Sequence, residues 1–176
     1  RSIKDYPKKG ILFRDITTLI KNEKAFKECI DQIVDRTKKF KVDKIAAIES
    51  RGFVFASAVS YILNKPFILL RKKNKLPAET HSVDFELEYG TATIEVHKDS
   101  IEENDSVLII DDLIATGGTA EAAAKLVEIS NAKVAGFIFV INLFDLGGYK
   151  KLNKLNYKVE NLIDFPGHWL SILKKD

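Results

Sequence analysis

The stretch V-L-I-I-D-D-L-I-A-T-G-G-T-A, residues 107–120, constrains the fold of this chain more than any other feature. Val107 to Ile110 form a short apolar, β-branched run of the kind found in strands buried on both faces, and A-E-A-A-A-K-L-V-E-I, residues 120–129, reads as a helix. A glycine turn from a strand's carboxyl end into a helix's amino end belongs to a parallel α/β sheet. There the backbone N–H groups and the positive end of the helix dipole point outward together, and Gly117 and Gly118 let the main chain close around an anion. Asp111 and Asp112 stand just ahead of that turn, where they would repel a bare phosphate.

A ligand carrying both a phosphate and neighbouring hydroxyls removes the conflict. Carboxylates accept hydrogen bonds from a diol, while the turn Thr116, Gly117, Gly118 and Thr119 donates to the phosphate a few ångströms away. Ribose 5-phosphate has that shape. A divalent cation with a preference for oxygen, Mg²⁺ above all, would ease the remaining repulsion beside Asp111 and Asp112.

The rest of the chain fits one α/β domain over residues 1–176. Phe26, Cys29, Ile30, Ile33, Val34, Thr37 and Phe40 recur at helical spacing, so an amphipathic helix is expected over residues 23–40. A strand at 44–48, a helix at 53–63 and a strand at 67–71 make one β-α-β unit; the strand at 107–110, the helix after the glycine turn and a strand at 134–143 make a second. This alternation predicts a parallel central sheet flanked by helices, with ligands at the strands' carboxyl ends. Residues 72–100, with the alternating segments D-F-E-L-E-Y and T-A-T-I-E-V on either side of Gly90, read as a hairpin too polar to be core, either a flexible flap over the site or a solvated hairpin.

Bulk properties exclude several classes. A chain of 176 residues, 45% hydrophobic and 30% charged, can bury a sizeable core. Its formal charge of +3 is small, with lysines scattered among acids, so composition gives no case for nucleic acid. No apolar run approaches the roughly 18 residues that span a bilayer, and R-S-I-K-D-Y-P is not a signal peptide, so the expectation is a cytoplasmic protein. Cys29, the single cysteine, rules out an intrachain disulfide and falls on the apolar helix face as a small core residue. Methionine is absent, which implies that the true start is missing. His81, His97 and His168 match no metal-ligand spacing.

I-I-D-D-L-I-A-T-G-G-T resembles the phosphoribosyl-pyrophosphate motif of the type I phosphoribosyltransferases, with an ending similar to that of the adenine-specific members. G-I-L-F-R-D-I (10–16), E-S-R-G-F (49–53), R-K-K-N-K-L-P (71–77), L-E-Y-G (87–90) and F-P-G-H (165–168) follow the family's other blocks in order. The resemblance implies a small hood from the amino-terminal segment, a homodimer, and transfer of the phosphoribosyl group to adenine, giving AMP and pyrophosphate. It also implies site residues. The turn holding Arg51 receives pyrophosphate, often through a non-proline cis peptide, and Arg71 and Lys75 are further pyrophosphate contacts, reaching toward a neighbouring subunit's site. The main chain at Leu12 and Arg14 reads adenine, with Phe13 stacking on the purine and Leu113 on its opposite face. Glu88 handles the proton near the imidazole ring and Tyr89 helps close the flap. No direct protein ligand for Mg²⁺ is implied.

Ala115 narrows the base. Members acting on hypoxanthine and guanine usually carry an aspartate at this position, and an orotate enzyme would have a different, T-A-G-T-like turn. Two departures stand out: Glu49 replaces the aspartate of some relatives, and Lys9 interrupts the more usual P-K-P-G. His168 reads as structural or surface. The competing readings are a non-catalytic regulator that senses phosphoribosyl pyrophosphate, which would commonly add a nucleic-acid-binding surface, and an enzyme for another base. A receiver domain fits poorly, since its acidic pair would lie near the amino end and need no A-T-G-G-T.

Overall fold

The computed structural model describes residues 1–86 and 90–168. The chain runs β1 (Ser2–Lys4), β2 (Leu12–Arg14), α1 (Thr17–Ile20), α2 (Glu23–Thr37), β3 (Lys44–Ile48), α3 (Arg51–Leu63), β4 (Phe67–Lys72), β5 (Thr80–Glu86), β6 (Thr91–His97), β7 (Ser106–Ile114), α4 (Gly118–Ile129), β8 (Lys133–Leu143), α5 (Gly148–Lys154) and β9 (Val159–Phe165). Among the described residues, seven strands form the central sheet in the order β5-β6-β4-β3-β7-β8-β9. Neighbours from β4 to β9 are parallel. β6 runs antiparallel to β4, and β5 antiparallel to β6.

Alternation on the inner strands explains the layers. Ala46, Ile48, Val107, Ile109, Phe137 and Phe139 face one core with α4, while Ile45, Ala47, Leu108, Ile110, Ile138 and Val140 face a second core with α2 and α3. Because both faces are covered, these strands read as continuous apolar runs. Full burial of an Ile, Leu or Phe side chain contributes about 1.5–3 kcal/mol, which makes this doubly packed centre the rigid platform for the loops at its carboxyl edge.

Several sequence expectations are corrected. The described part of residues 72–100 is not a polar excursion outside the core: β5 and β6 extend the sheet, and period-two alternation puts Val83, Phe85, Ile94 and Val96 against the α4 core, while Glu95 between the last two is itself buried and accepts from the Asn74 N–H at 3.0 Å and Ser82 Oγ at 3.3 Å. The sheet is therefore mixed, with antiparallel strands at one edge. β7 does not stop at Ile110 but continues through the acidic pair, because Asp111 and Leu113 keep their register with Phe139 and Ile141 of β8. α3 begins at Arg51 and α4 at Gly118, each two residues earlier than expected. α2 ends at Thr37, and residues 38–40 close it with three-residue hydrogen bonds from Lys38 to Asp35, Lys39 to Arg36 and Phe40 to Thr37.

The amino-terminal hood is the antiparallel pair β1–β2, with Ile3 opposite Phe13. It meets the segment after β9 through an isolated antiparallel bridge between Ile11 and His168. Cys29 is buried, as its place on the apolar helix face implied.

Candidate active site

Two cavities adjoin at the carboxyl ends of β3 and β7. The first, of about 240 Å³, lies between the turn after β3 (Glu49, Ser50, Arg51) and residues 111–120. The second, of about 680 Å³, lies under the hood, walled by Leu12, Phe13 and Arg14 on one side and by Leu143, Leu146 and Gly167 on the other. Arg51, Leu113, Ala115 and Thr116 line both.

The glycine turn closes as the sequence required. Gly117 caps α4 with a φ of +84°, a left-handed conformation that suits glycine. The first N–H groups of α4 have no partners within the helix and open into the smaller cavity. Beneath the turn lies Gly148, whose N–H donates to the Ala115 carbonyl at 2.9 Å. A Cβ on Gly148 would lie 2.4 Å from that carbonyl oxygen and 2.7 Å from the Gly117 nitrogen. Sequence reasoning missed this support, although the second double glycine, at 147–148, was the available signal.

The acidic pair is tolerated through three local arrangements. Asp112, only 3% exposed, lies 2.9 Å from Nε of Arg51. The contact is charge to charge, since Asp112 Oδ2 has no hydrogen-bond partner and remains a buried acceptor at the cavity. Asp111 Oδ1 accepts the Asp112 N–H at 2.8 Å. It also packs against the first turn of α3, where a Cβ on Gly52 would lie 2.7 Å from it. Burial raises the proton affinity of Asp111 well above the usual carboxylate range, and the Asp112 charge adds to the rise. Burial raises that of Asp112 too, opposed by Arg51.

Arg51 joins the cavities. Its guanidinium carbon is 5.6 Å from the centroid of the Phe13 ring, which also meets Tyr6 edge to face at 5.1 Å. The Glu49–Ser50 peptide just before it is cis, as the resemblance implied.

The hood's register determines which backbone groups of β2 face β1 and which face away from it. Arg1 and Asp15 exchange main-chain hydrogen bonds at 3.0 and 2.8 Å, and the Asp5 N–H donates to the Ile11 carbonyl at 2.8 Å. In an antiparallel pair such positions alternate, so Leu12 and Arg14, opposite Lys4 and Ser2, turn their N–H and C=O groups away from β1. The Arg14 side chain is used for construction: Nη2 donates to the Pro166 carbonyl at 2.7 Å, Nη1 to Ser2 Oγ at 2.5 Å, and the guanidinium covers Phe165 at 4.6 Å.

Arg71 and Lys75 line neither cavity. Arg71 donates from Nε to Glu49 Oε2 at 3.1 Å and from Nη1 to the Lys75 carbonyl at 3.2 Å, so Glu49 holds it beside the turn. Glu88 and Tyr89, like the tail after His168, lie outside the described residues. His168 is exposed at the second cavity's rim. Among the described residues no group of three or more His, Cys, Asp or Glu side chains converges as a metal site, and no helix is long and apolar enough to cross a membrane.

A mostly parallel sheet, an acidic pair leading into a glycine turn, and a hooded second cavity define a phosphoribosyltransferase site. Residues 15–170 match the phosphoribosyl transferase domain, and the chain belongs to that family. Among individual proteins it is 82% identical over 168 residues to the adenine phosphoribosyltransferase of Pelagibacter ubique strain HTCC1062, covering 96% of each chain. Its fold superposes with a TM-score of 0.90 on the adenine phosphoribosyltransferase of Thermoanaerobacter pseudethanolicus, at 48% identity, over 94% of this chain and 95% of that one. The Saccharomyces cerevisiae adenine phosphoribosyltransferase, solved with an imino-altritol bisphosphate and adenine, gives a TM-score of 0.85 at 36% identity over 93% of each chain.

Proposed function

We propose that this chain, acting as one domain, transfers the 5-phosphoribosyl group of phosphoribosyl pyrophosphate to adenine, forming AMP and pyrophosphate. The observation that carries the reading is the pair of adjoining cavities, one edged by an anion turn and buried carboxylates, the other apolar and edged by backbone groups that β1 does not use, with Arg51, Leu113, Ala115 and Thr116 shared between them. A sugar phosphate in the first places its anomeric carbon toward a base in the second.

In this reading the N–H groups of residues 116–119 hold the 5-phosphate, and Asp111 and Asp112 accept the ribose hydroxyls, the unbonded Asp112 Oδ2 being the readiest acceptor. Adenine lies between Phe13 and Leu113, with its amino edge read by the outward main-chain groups of Leu12 and Arg14. Transfer passes through a sugar cation as pyrophosphate leaves, so the site stabilises the leaving charge and excludes water. The turn Glu49–Ser50–Arg51 faces that charge, and Arg71 and Lys75 supply further positive charge, including toward a partner subunit in a homodimer. Glu88 manages the proton at the imidazole ring of the base and Tyr89 helps close the site. A Mg²⁺ ion, held chiefly by substrate oxygens beside Asp111 and Asp112, would neutralise pyrophosphate charge. The enzyme serves purine salvage in the cytoplasm. Incubating it with adenine, phosphoribosyl pyrophosphate and Mg²⁺ tests the reading: AMP and pyrophosphate should appear in equal amounts, and failure of both to form refutes it.

A further inference from the structure

We propose that Asp145, in the loop after β8, is a positioning residue for the base: its carboxylate clamps the Pro166–Gly167–His168 turn that closes the second cavity. The proposal rests on the function proposed above and adds to it a residue outside the phosphoribosyl-pyrophosphate motif.

The geometry is specific. Asp145 Oδ1 accepts the Gly167 N–H at 2.6 Å and Oδ2 accepts the His168 N–H at 3.2 Å, so both oxygens are used by consecutive main-chain donors. Gly167 is pressed so closely that a Cβ there would lie 2.6 Å from Cδ1 of Leu146 and 3.1 Å from Asp145 Oδ1. Gly167 and His168 line the cavity opposite Leu12 and Phe13, and His168 bridges to Ile11 at the start of the base-reading strand. The same turn is gripped from the hood by Arg14, through the Pro166 carbonyl at 2.7 Å. Burial of the Arg14 guanidinium lowers its proton affinity, and the negative charge of Asp145 opposes part of that fall. One carboxylate thus fixes one wall of the cavity directly and supports the arginine whose backbone belongs to the facing wall. It lines neither cavity itself, which separates positioning from contact with substrate.

Asp145→Ala removes both acceptors, while Asp145→Asn keeps one and turns an NH₂ toward the other N–H. Steady-state kinetics should show the KM for adenine rising about tenfold in the Ala variant and by a smaller factor in the Asn variant. The KM for phosphoribosyl pyrophosphate should stay within about twofold, since charged hydrogen bonds act locally. A thermal melt of each variant accompanies the kinetics. If the Ala variant does not fold, a selective rise in the adenine KM of the Asn variant decides the matter. Unchanged adenine KM, or equal rises in both KM values that track a lower melting temperature, overturns the proposal. Wild type without activity on adenine would instead overturn the proposed function, so the two failures are distinct.

Discussion

Replacing Asp112 by Asn should weaken substrate capture without weakening the fold. Asp112 is 3% exposed and its Oδ2 lacks a hydrogen bond, so in the free protein the ionised carboxylate carries a desolvation cost that a neutral amide relieves. Its partner Arg51 has a side chain 43% exposed, so it remains solvated when the pair is lost, and that ion pair contributes little to stability. The pH dependence has a definite sign. Burial raises the folded-state proton affinity of Asp112, so the native state binds more protons than the unfolded chain above the unfolded value of about 3.9. Stability therefore falls as pH rises from there through the folded-state value, then levels off. Asp112→Asn removes this decline and should melt at the same or a higher temperature at neutral pH. Substrate binding responds oppositely: a charge-assisted hydrogen bond from a ribose hydroxyl is worth about 1.5–3 kcal/mol, or roughly tenfold to a hundredfold in affinity. Calorimetric titration with phosphoribosyl pyrophosphate and Mg²⁺, paired with a thermal melt, measures both. Unchanged affinity would refute the role as hydroxyl acceptor, and a large fall in melting temperature would refute the view that this carboxylate is retained at a cost to stability.

Other perturbations separate the remaining parts. Gly148→Ala should cost about 1–3 kcal/mol of stability by overpacking, and should lower phosphoribosyl-pyrophosphate affinity, because the new methyl presses on the Ala115 carbonyl and the Gly117 nitrogen; denaturant unfolding and titration test both, and an unaltered affinity would free the turn from dependence on Gly148. Glu88→Gln should lower kcat more than it raises KM, since proton handling matters in the transition state; a raised KM with kcat intact would make Glu88 a binding residue. Burial pushes the Cys29 thiol up to about 11, so it should resist alkylation at pH 8 in the native protein and react fully only in denaturant, as mass spectrometry can follow.

The parts legible in sequence were those carried by contiguous residues. V-L-I-I-D-D and A-T-G-G-T place the carboxylates and the anion turn within one strand–turn–helix unit, whose local order leaves little choice. The hairpin is less legible because composition counts polar residues, whereas alternation and hydrogen bonding decide which side chains are buried: Ile94 and Val96 enter the core, and Glu95 between them is buried as an acceptor for Asn74 and Ser82. Contacts between distant segments were the least visible. Arg14 reaches Pro166 across 152 positions, and Asp145 meets Gly167 only because β8 and β9 end side by side. Arg71 was expected at pyrophosphate, and nothing local to R-K-K-N-K-L-P signals that Glu49, 22 positions earlier, holds it.

The most direct test is the ratio of kcat/KM for adenine to that for hypoxanthine. Ala115 lines both cavities where a carboxylate would meet the base, and Leu12 and Arg14 present backbone groups suited to an amino edge. Discrimination through matched buried polar groups reaches about four to five orders of magnitude, so the wild-type ratio should approach that range. Ala115→Asp should cut adenine transfer by burying a charge without a prepared partner, and it need not create hypoxanthine activity, since an oxo group requires a donor. Comparable wild-type efficiencies for the two bases would contradict the assignment to adenine and the part given to Ala115.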